Sequence, residues 1–215
     1  LEPYQGPTEL APTHAEIFSQ AQPYRPVEGT REWSVAGYVR YGLGENIFPF
    51  KDQWVRGYRA AINAAARQFD LPPALLAGVA YNEVGGDTVY HDRAAHALRR
   101  GAAADRTSFG NMSIQLRTAF EALGYDDPGE WQRRSVIASL EDPEVSIFIA
   151  AKVLSDLRNR EFRDTTASRL SREQIEILGA RYNHGSGIPR ERLDRDYGRD
   201  ITKRWRHLNN LLRGQ

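Results

Sequence analysis

The stretch Leu71 to Gly86, LPPALLAGVAYNEVGG, constrains the fold more than any other, because it frames a short apolar helix with prolines at one end and glycines at the other. Pro72 and Pro73 suit a first helical turn, where their missing N–H groups have no intrahelical partner in any case, and Asp70 just ahead is placed to cap exposed amides. Gly85 and Gly86 can end the helix in a left-handed conformation. Between these stops Leu76, Val79, Ala80 and Glu83 fall at i, i+3, i+4 and i+7, so one carboxylate continues the stripe that the apolar residues bury. Partial desolvation and the negative end of the helix dipole both disfavour a charged Glu83, so its pKa is expected to rise. A raised carboxyl pKa is what a general acid working near neutral pH requires. Taken alone, an acid at a helix end turns outward into water more often than not; the motifs downstream reverse that balance.

The chain has 215 residues, enough for one sizeable core with a satellite segment. Five prolines within the first thirty residues, Pro3, Pro7, Pro12, Pro23 and Pro26, predict an extended, turn-rich start. Thr13 followed by Glu16 has capping-box spacing and predicts one helix there, over about 15–21. Trp33 to Phe50, with Gly37, Gly42 and Gly44, reads as a packed loop region. Its aromatics Trp33, Tyr38 and Tyr41 pack, or form a platform for a sugar ring. Residues 1–50 are thus expected to be an extension packed on or leading into a main domain at 51–215.

In that domain Asp52 to Phe69 reads as one long helix, followed directly by the Glu83 helix. A long insertion over Asp87 to Phe109 contains a short polar helix near Arg93 to Arg100. Gly110 to Gln115 is an irregular or short extended piece, and helices are expected near Leu116 to Leu123 and Trp131 to Leu140. The strongest amphipathic pattern starts after Asp142 and Pro143, with Val145, Phe148 or Ile149, Val153 and Leu157 on one face. Ser171 with Gln174 repeats the capping-box spacing ahead of a helix that stops at His184 and Gly185. Arg199 to Leu212 closes the chain as a last helix. Strands are few and no repeat is present, so the fold class is mainly α.

Composition excludes several functions. The 29 basic and 28 acidic residues are interspersed and leave a formal charge of +1, which argues against a polyanion-binding surface and hence against a nucleic-acid partner. No apolar run reaches the ~18 to 20 residues of a membrane span, so no integral membrane segment is expected. The absence of cysteine removes disulfides and thiolate chemistry together. His91 and His96 do not share a helical face and read as solvated, so no metal and no cofactor is expected. The chain begins at Leu1 without a signal-peptide pattern and reads as a mature form or an excised domain.

Three stretches then fall into an order with a recognisable counterpart: YNEVGG at 81–86, SFGNMSIQLRTA at 108–119 and ARYNHG at 180–185. Together with DPEVSIFIAAKVL at 142–154, they resemble the lysozyme-like domain shared by goose-type lysozymes and soluble lytic transglycosylases. The resemblance covers about Asp52 to Leu212 and implies a lysozyme-like fold acting on the glycan strands of bacterial peptidoglycan. It implies that Glu83 protonates the glycosidic oxygen between N-acetylmuramic acid and N-acetylglucosamine, and that Tyr182 hydrogen-bonds and orients it. Asn183 would shape the groove, Gly110 would let the backbone approach the sugar, and Met112 would line the floor. Asp105 and Arg106 resemble the Asp-Arg that precedes Phe-Gly in goose-type lysozymes, which makes Asp105 the candidate second carboxylate; Asp87 and Asp92 are further candidates.

The chain also departs from the pattern. Val84 stands where the family has Ser after the acid, Asn111 where it has Leu, Ser146 where it has Asn, and His184 where it has a small residue. Ser113 replaces a Gln that points into the cleft, and Gln115 is positioned to compensate from a neighbouring direction. The expected function is therefore a peptidoglycan glycosidase, as muramidase or as lytic transglycosylase, monomeric and acting at the cell wall in the periplasm or outside the cell. The same features suit the toxin domain of an antibacterial effector, which would need an immunity protein in its producer, as well as an endolysin or a remodelling enzyme. The alternative is a peptidoglycan-binding or structural module that kept the fold and lost catalysis.

Overall fold

The computed structural model describes residues 9–30, 35–85, 101–185 and 187–214. Among them it is mainly helical: α1 Pro12–Ala21, α2 Val35–Gly42, α3 Phe48–Gly57, α4 Arg59–Gln68, α5 Pro73–Glu83, α6 Leu116–Leu123, α7 Glu130–Glu141, α8 Pro143–Glu161, α9 Arg172–His184, α10 Asp196–Lys203 and α11 Trp205–Arg213. Two antiparallel strands of two residues each, β1 Ser108–Phe109 and β2 Ile114–Gln115, pair Ser108 with Gln115 and Phe109 with Ile114. Among the described residues no helix is long and apolar enough to cross a membrane.

The Glu83 helix, α5, is the axis of the fold. Every residue from Ala74 to Tyr81 is buried, so the helix is enclosed on all sides rather than along the single stripe expected. Helices α3, α4, α8, α9, α10 and α11 all pack on it. A helix without a polar face draws its stability from this burial, since eleven residues are too few to hold helical structure alone. Asp70 does not cap it. That residue takes a positive φ of 49°, and its carboxylate instead receives Arg158 Nη1 at 2.7 Å and the Ala167 amide at 3.3 Å. The helix stops at Glu83, Val84 turns extended, and Gly85 follows at φ +96°; Gly86 lies outside the described residues.

Core helix α8 starts as the Asp142–Pro143 pair predicts, with the Asp142 carboxylate accepting the Val145 amide at 3.1 Å. The Ser171–Gln174 capping box of α9 also forms, each side chain taking the other residue's backbone N–H. Helix α1 begins earlier than Thr13 and Glu16 suggest, on Pro12, without a side-chain cap. The expected long helix over Asp52 to Phe69 is two helices that break at Tyr58. The break follows Gly57, which sits so close to Thr30 that a Cβ there would lie 2.1 Å from its hydroxyl. The closing helix is likewise two, α10 and α11, meeting at Arg204. The expected loop over Trp33 to Phe50 contains α2 and the start of α3, while Trp33 itself and the polar helix near Arg93 to Arg100 lie outside the described residues.

The N-terminal segment shares the main core. Ile17, Ala21 and Phe50 are buried in one apolar cluster with α4, α5 and α8. His14 pins α1 to the rest: fully buried, its imidazole bonds the Tyr125 hydroxyl and the Ser139 hydroxyl, both at 2.8 Å. Burial lowers its pKa from 6.5 to about 4. Between those values the unfolded chain binds the proton that folded His14 refuses, so this contribution to stability is complete above about pH 6.5 and is lost as pH falls toward 4. The expected loss reaches about 3 kcal/mol. Urea denaturation of the parent and of His14→Gln between pH 7 and pH 4 should show the steeper decline in the parent; parallel declines would contradict this.

Candidate active site

Glu83 ends α5 at the wall of an open cavity of about 350 Å³, formed with β1, β2, α6, α8 and the end of α9. Tyr182, Asn183, Ser113 and Gln115 line the same cavity, so four of the expected residues do converge on the acid. Ser108, Ile114, Thr118, Val153, His184 and Gly185 complete the wall. His184, where the resembled family carries a small residue, thus presents an imidazole to the cavity.

The carboxyl pKa of Glu83 is raised because burial penalises its charge. The hydroxyls of Tyr197 and Ser113 and the ammonium of Lys51 pull it part of the way back. Lys51 also caps the helix: its Nζ donates to the carbonyls of Tyr81 at 2.7 Å and Asn82 at 3.2 Å, two acceptors that the end of α5 would otherwise leave open. Burial lowers the pKa of Lys51 in turn, opposed by the charge of Glu83.

The phenol that holds Glu83 is Tyr197, at the start of α10, whose hydroxyl donates to Oε1 at 2.6 Å. The Tyr182 hydroxyl, expected in that role, donates instead to the Met112 carbonyl at 2.7 Å. Tyr182 therefore acts one step removed, fixing the hairpin turn from which Ser113 reaches Glu83. Burial and the nearby Glu83 charge raise the pKa of both phenols well above the usual tyrosine value, so both remain donors near neutrality. Ser113 is one of two described non-glycine residues at positive φ, 48°, a conformation that disfavours side chains and that aims its hydroxyl at the acid.

Three expected residues stand elsewhere. Met112 is fully buried beneath the turn and does not line the cavity floor. Gly110, at φ +72°, approaches protein rather than sugar: a Cβ there would lie 1.8 Å from the Leu140 carbonyl oxygen at the end of α7. Asp105 belongs to a short 3₁₀ turn, Gly101–Arg106, and its carboxylate is paired with Arg133 in a separate cavity. An acid neutralised by a guanidinium on another wall is not placed to activate water at Glu83. Asp87 and Asp92, with His91 and His96, lie outside the described residues, among which no group of three metal-type ligands occurs.

Tyr197 went unforeseen because the sequence pattern starts the last helix at Arg199, and no motif marks DYG at 196–198. Its position comes from packing. Gly179 of α9 meets Gly198, with a notional Cβ 2.9 Å from the Gly198 Cα, and Gly78 of α5 meets Ile201. These close approaches seat α10 against both helices, and Asn82 Nδ2 donates to the Tyr197 carbonyl at 3.3 Å. Replacing Tyr197 with Phe removes a bond that favours the carboxylate, so the Glu83 pKa should rise further. The pH above which the acid form disappears should move upward. A carbon-13 NMR titration of the Glu83 carboxyl checks this, and an unchanged or lowered midpoint would contradict it.

Compared with models of known families, with characterised proteins and with solved structures, the chain matches none. The site itself defines the chemistry on offer: a half-buried carboxyl with a raised pKa, two hydroxyl donors upon it, and an open polar cavity in front of it.

Proposed function

We propose that this chain is a peptidoglycan glycosidase, cleaving the β-1,4 bond between N-acetylmuramic acid and N-acetylglucosamine with Glu83 as the acid. The observation that carries the reading is the placement of Glu83: at a helix end, its pKa raised by burial, facing a cavity of about 350 Å³. A protonated carboxyl in that position can donate to a glycosidic oxygen as the bond breaks. Tyr197 and Ser113 keep the carboxyl in one orientation and stabilise the carboxylate left after transfer. The motif order noted in the sequence supports the same substrate.

Glu83 is the one carboxylate lining this cavity among the described residues. Inverting hydrolysis needs a second one, roughly 6.5–9.5 Å from the first. A lytic transglycosylase needs one group only: Glu83 gives its proton to the leaving oxygen, then takes the proton of the muramic 6-hydroxyl as that oxygen closes on the anomeric carbon. The described lining supplies what this single-carboxylate route requires.

Release of soluble fragments from purified peptidoglycan, followed from about pH 4 to pH 8, tests the reading. Release should decline as pH rises through the raised pKa of Glu83, because the donor is the protonated form. No release at any pH in that window would sink the proposal.

A further inference from the structure

A second cavity of about 70 Å³ adjoins the first and shares Thr118, Val153, Tyr182 and Gly185 with it. Two helical stripes and the end of α9, with Arg181, Tyr182 and Gly185, form its walls. On α8, Val153, Asp156, Leu157 and Arg160 stand at i, i+3, i+4 and i+7; on α6, Thr118, Glu121 and Ala122 stand at i, i+3 and i+4. The groove therefore continues past the acid along one face of α8.

Its charges are settled except at one position. Glu121 pairs with Arg117 at 3.2 Å, Asp156 with Lys152 at 2.6 Å, and the buried Arg181 with Glu161 at 2.6 Å. Arg160 is exposed and lines this groove, and its side chain has no ion pair or hydrogen bond among the described residues. A guanidinium left open at the end of a groove whose other charges are neutralised recognises a planar anion, and a carboxylate matches its paired donors.

Resting on the glycosidase reading, we infer that Arg160 is a specificity residue that binds a carboxylate of the short peptides carried on the muramic acid units. The preferred substrate is then peptide-bearing glycan, and bare glycan is a poorer ligand. The residue takes no part in bond cleavage; it positions the strand along α8.

The test is equilibrium binding to the Glu83→Gln protein, which holds glycan without turnover. Two probes are compared: soluble glycan strands bearing their peptides, and the same strands stripped of peptides by an amidase, with the lactyl carboxylates that this hydrolysis exposes capped as methyl amides. The peptide-bearing strands should bind about tenfold more tightly, as one charge-assisted hydrogen-bonded contact provides. Adding Arg160→Ala should abolish that difference and leave bare strands unaffected, while Arg160→Lys, a point charge, should retain part of it. Equal affinity for the two probes overturns the inference, as does a preference that survives Arg160→Ala or a loss that falls equally on both probes. If neither strand binds, the glycosidase reading fails and takes this inference with it.

Discussion

Replacing Glu83 with glutamine should lower fragment release from peptidoglycan by at least about 10³-fold, because it removes the proton donor and leaves its surroundings intact. The amide is the same size, and its oxygen still accepts the Tyr197 hydroxyl that lies 2.6 Å from Oε1. Stability should move the other way. Burial raises the folded pKa of Glu83, so between the ordinary glutamate value of 4.5 and that raised value the folded state holds a proton that the unfolded chain has released. Folding stability therefore falls as pH rises through this window, and above it the native state carries a penalised charge. A neutral amide relieves it. Thermal melts at pH 7 should place the Glu83→Gln midpoint at or above that of the parent; a variant that is inactive because it is unfolded would contradict this account.

The second large effect is expected at Gly198. A Cβ there would lie 1.9 Å from the Glu176 carbonyl oxygen and 2.6 Å from its Cα, both backbone atoms of α9 that cannot turn aside as a side chain would. Helix α10 would have to separate from α9, and Gly198→Ala should destabilise the protein by about 2–3 kcal/mol. Activity should fall with it, since α10 carries Tyr197 and moving the helix withdraws the phenol from Glu83. Gly187→Ala, with nothing within 4 Å of the added methyl and no positive φ, is the control and should leave the denaturation midpoint unchanged. Urea denaturation of both variants decides the matter: equal stability would show that α9 and α10 do not depend on this approach.

The two glycine substitutions also show where sequence reading ends. Local signals are legible: Asp142–Pro143 starts α8, Ser171–Gln174 starts α9, and Pro73 and Gly85 frame α5 with its terminal acid. Convergence of Glu83, Ser113, Gln115, Tyr182 and Asn183 on one cavity agrees with the motif order. What stayed hidden depends on contacts distant in sequence. The break at Tyr58 comes directly after Gly57, against which Thr30 packs with no room for a Cβ, and the partner of Asp105 is an arginine twenty-eight residues away. Tyr197 and Glu83 are separated by 114 residues and brought together by glycine contacts that no short pattern encodes. The burial of α5 also exceeds the expected stripe, because Leu75 and Tyr81 and the small residues Ala74, Ala77 and Gly78, all off that stripe, are enclosed by helices distant in sequence.

The most direct test of the central claim is mass spectrometry of the soluble fragments released from purified peptidoglycan by the parent protein and by Glu83→Gln. Muramic acid should stand at the newly formed C1 end of the parent's fragments and N-acetylglucosamine at the new non-reducing end, with the 1,6-anhydro form of muramic acid expected from the single-carboxylate route, and the variant should release none above background. Fragments ending in reducing N-acetylglucosamine, or equal release by parent and variant, would contradict the assignment of Glu83 as the acid that cleaves this bond.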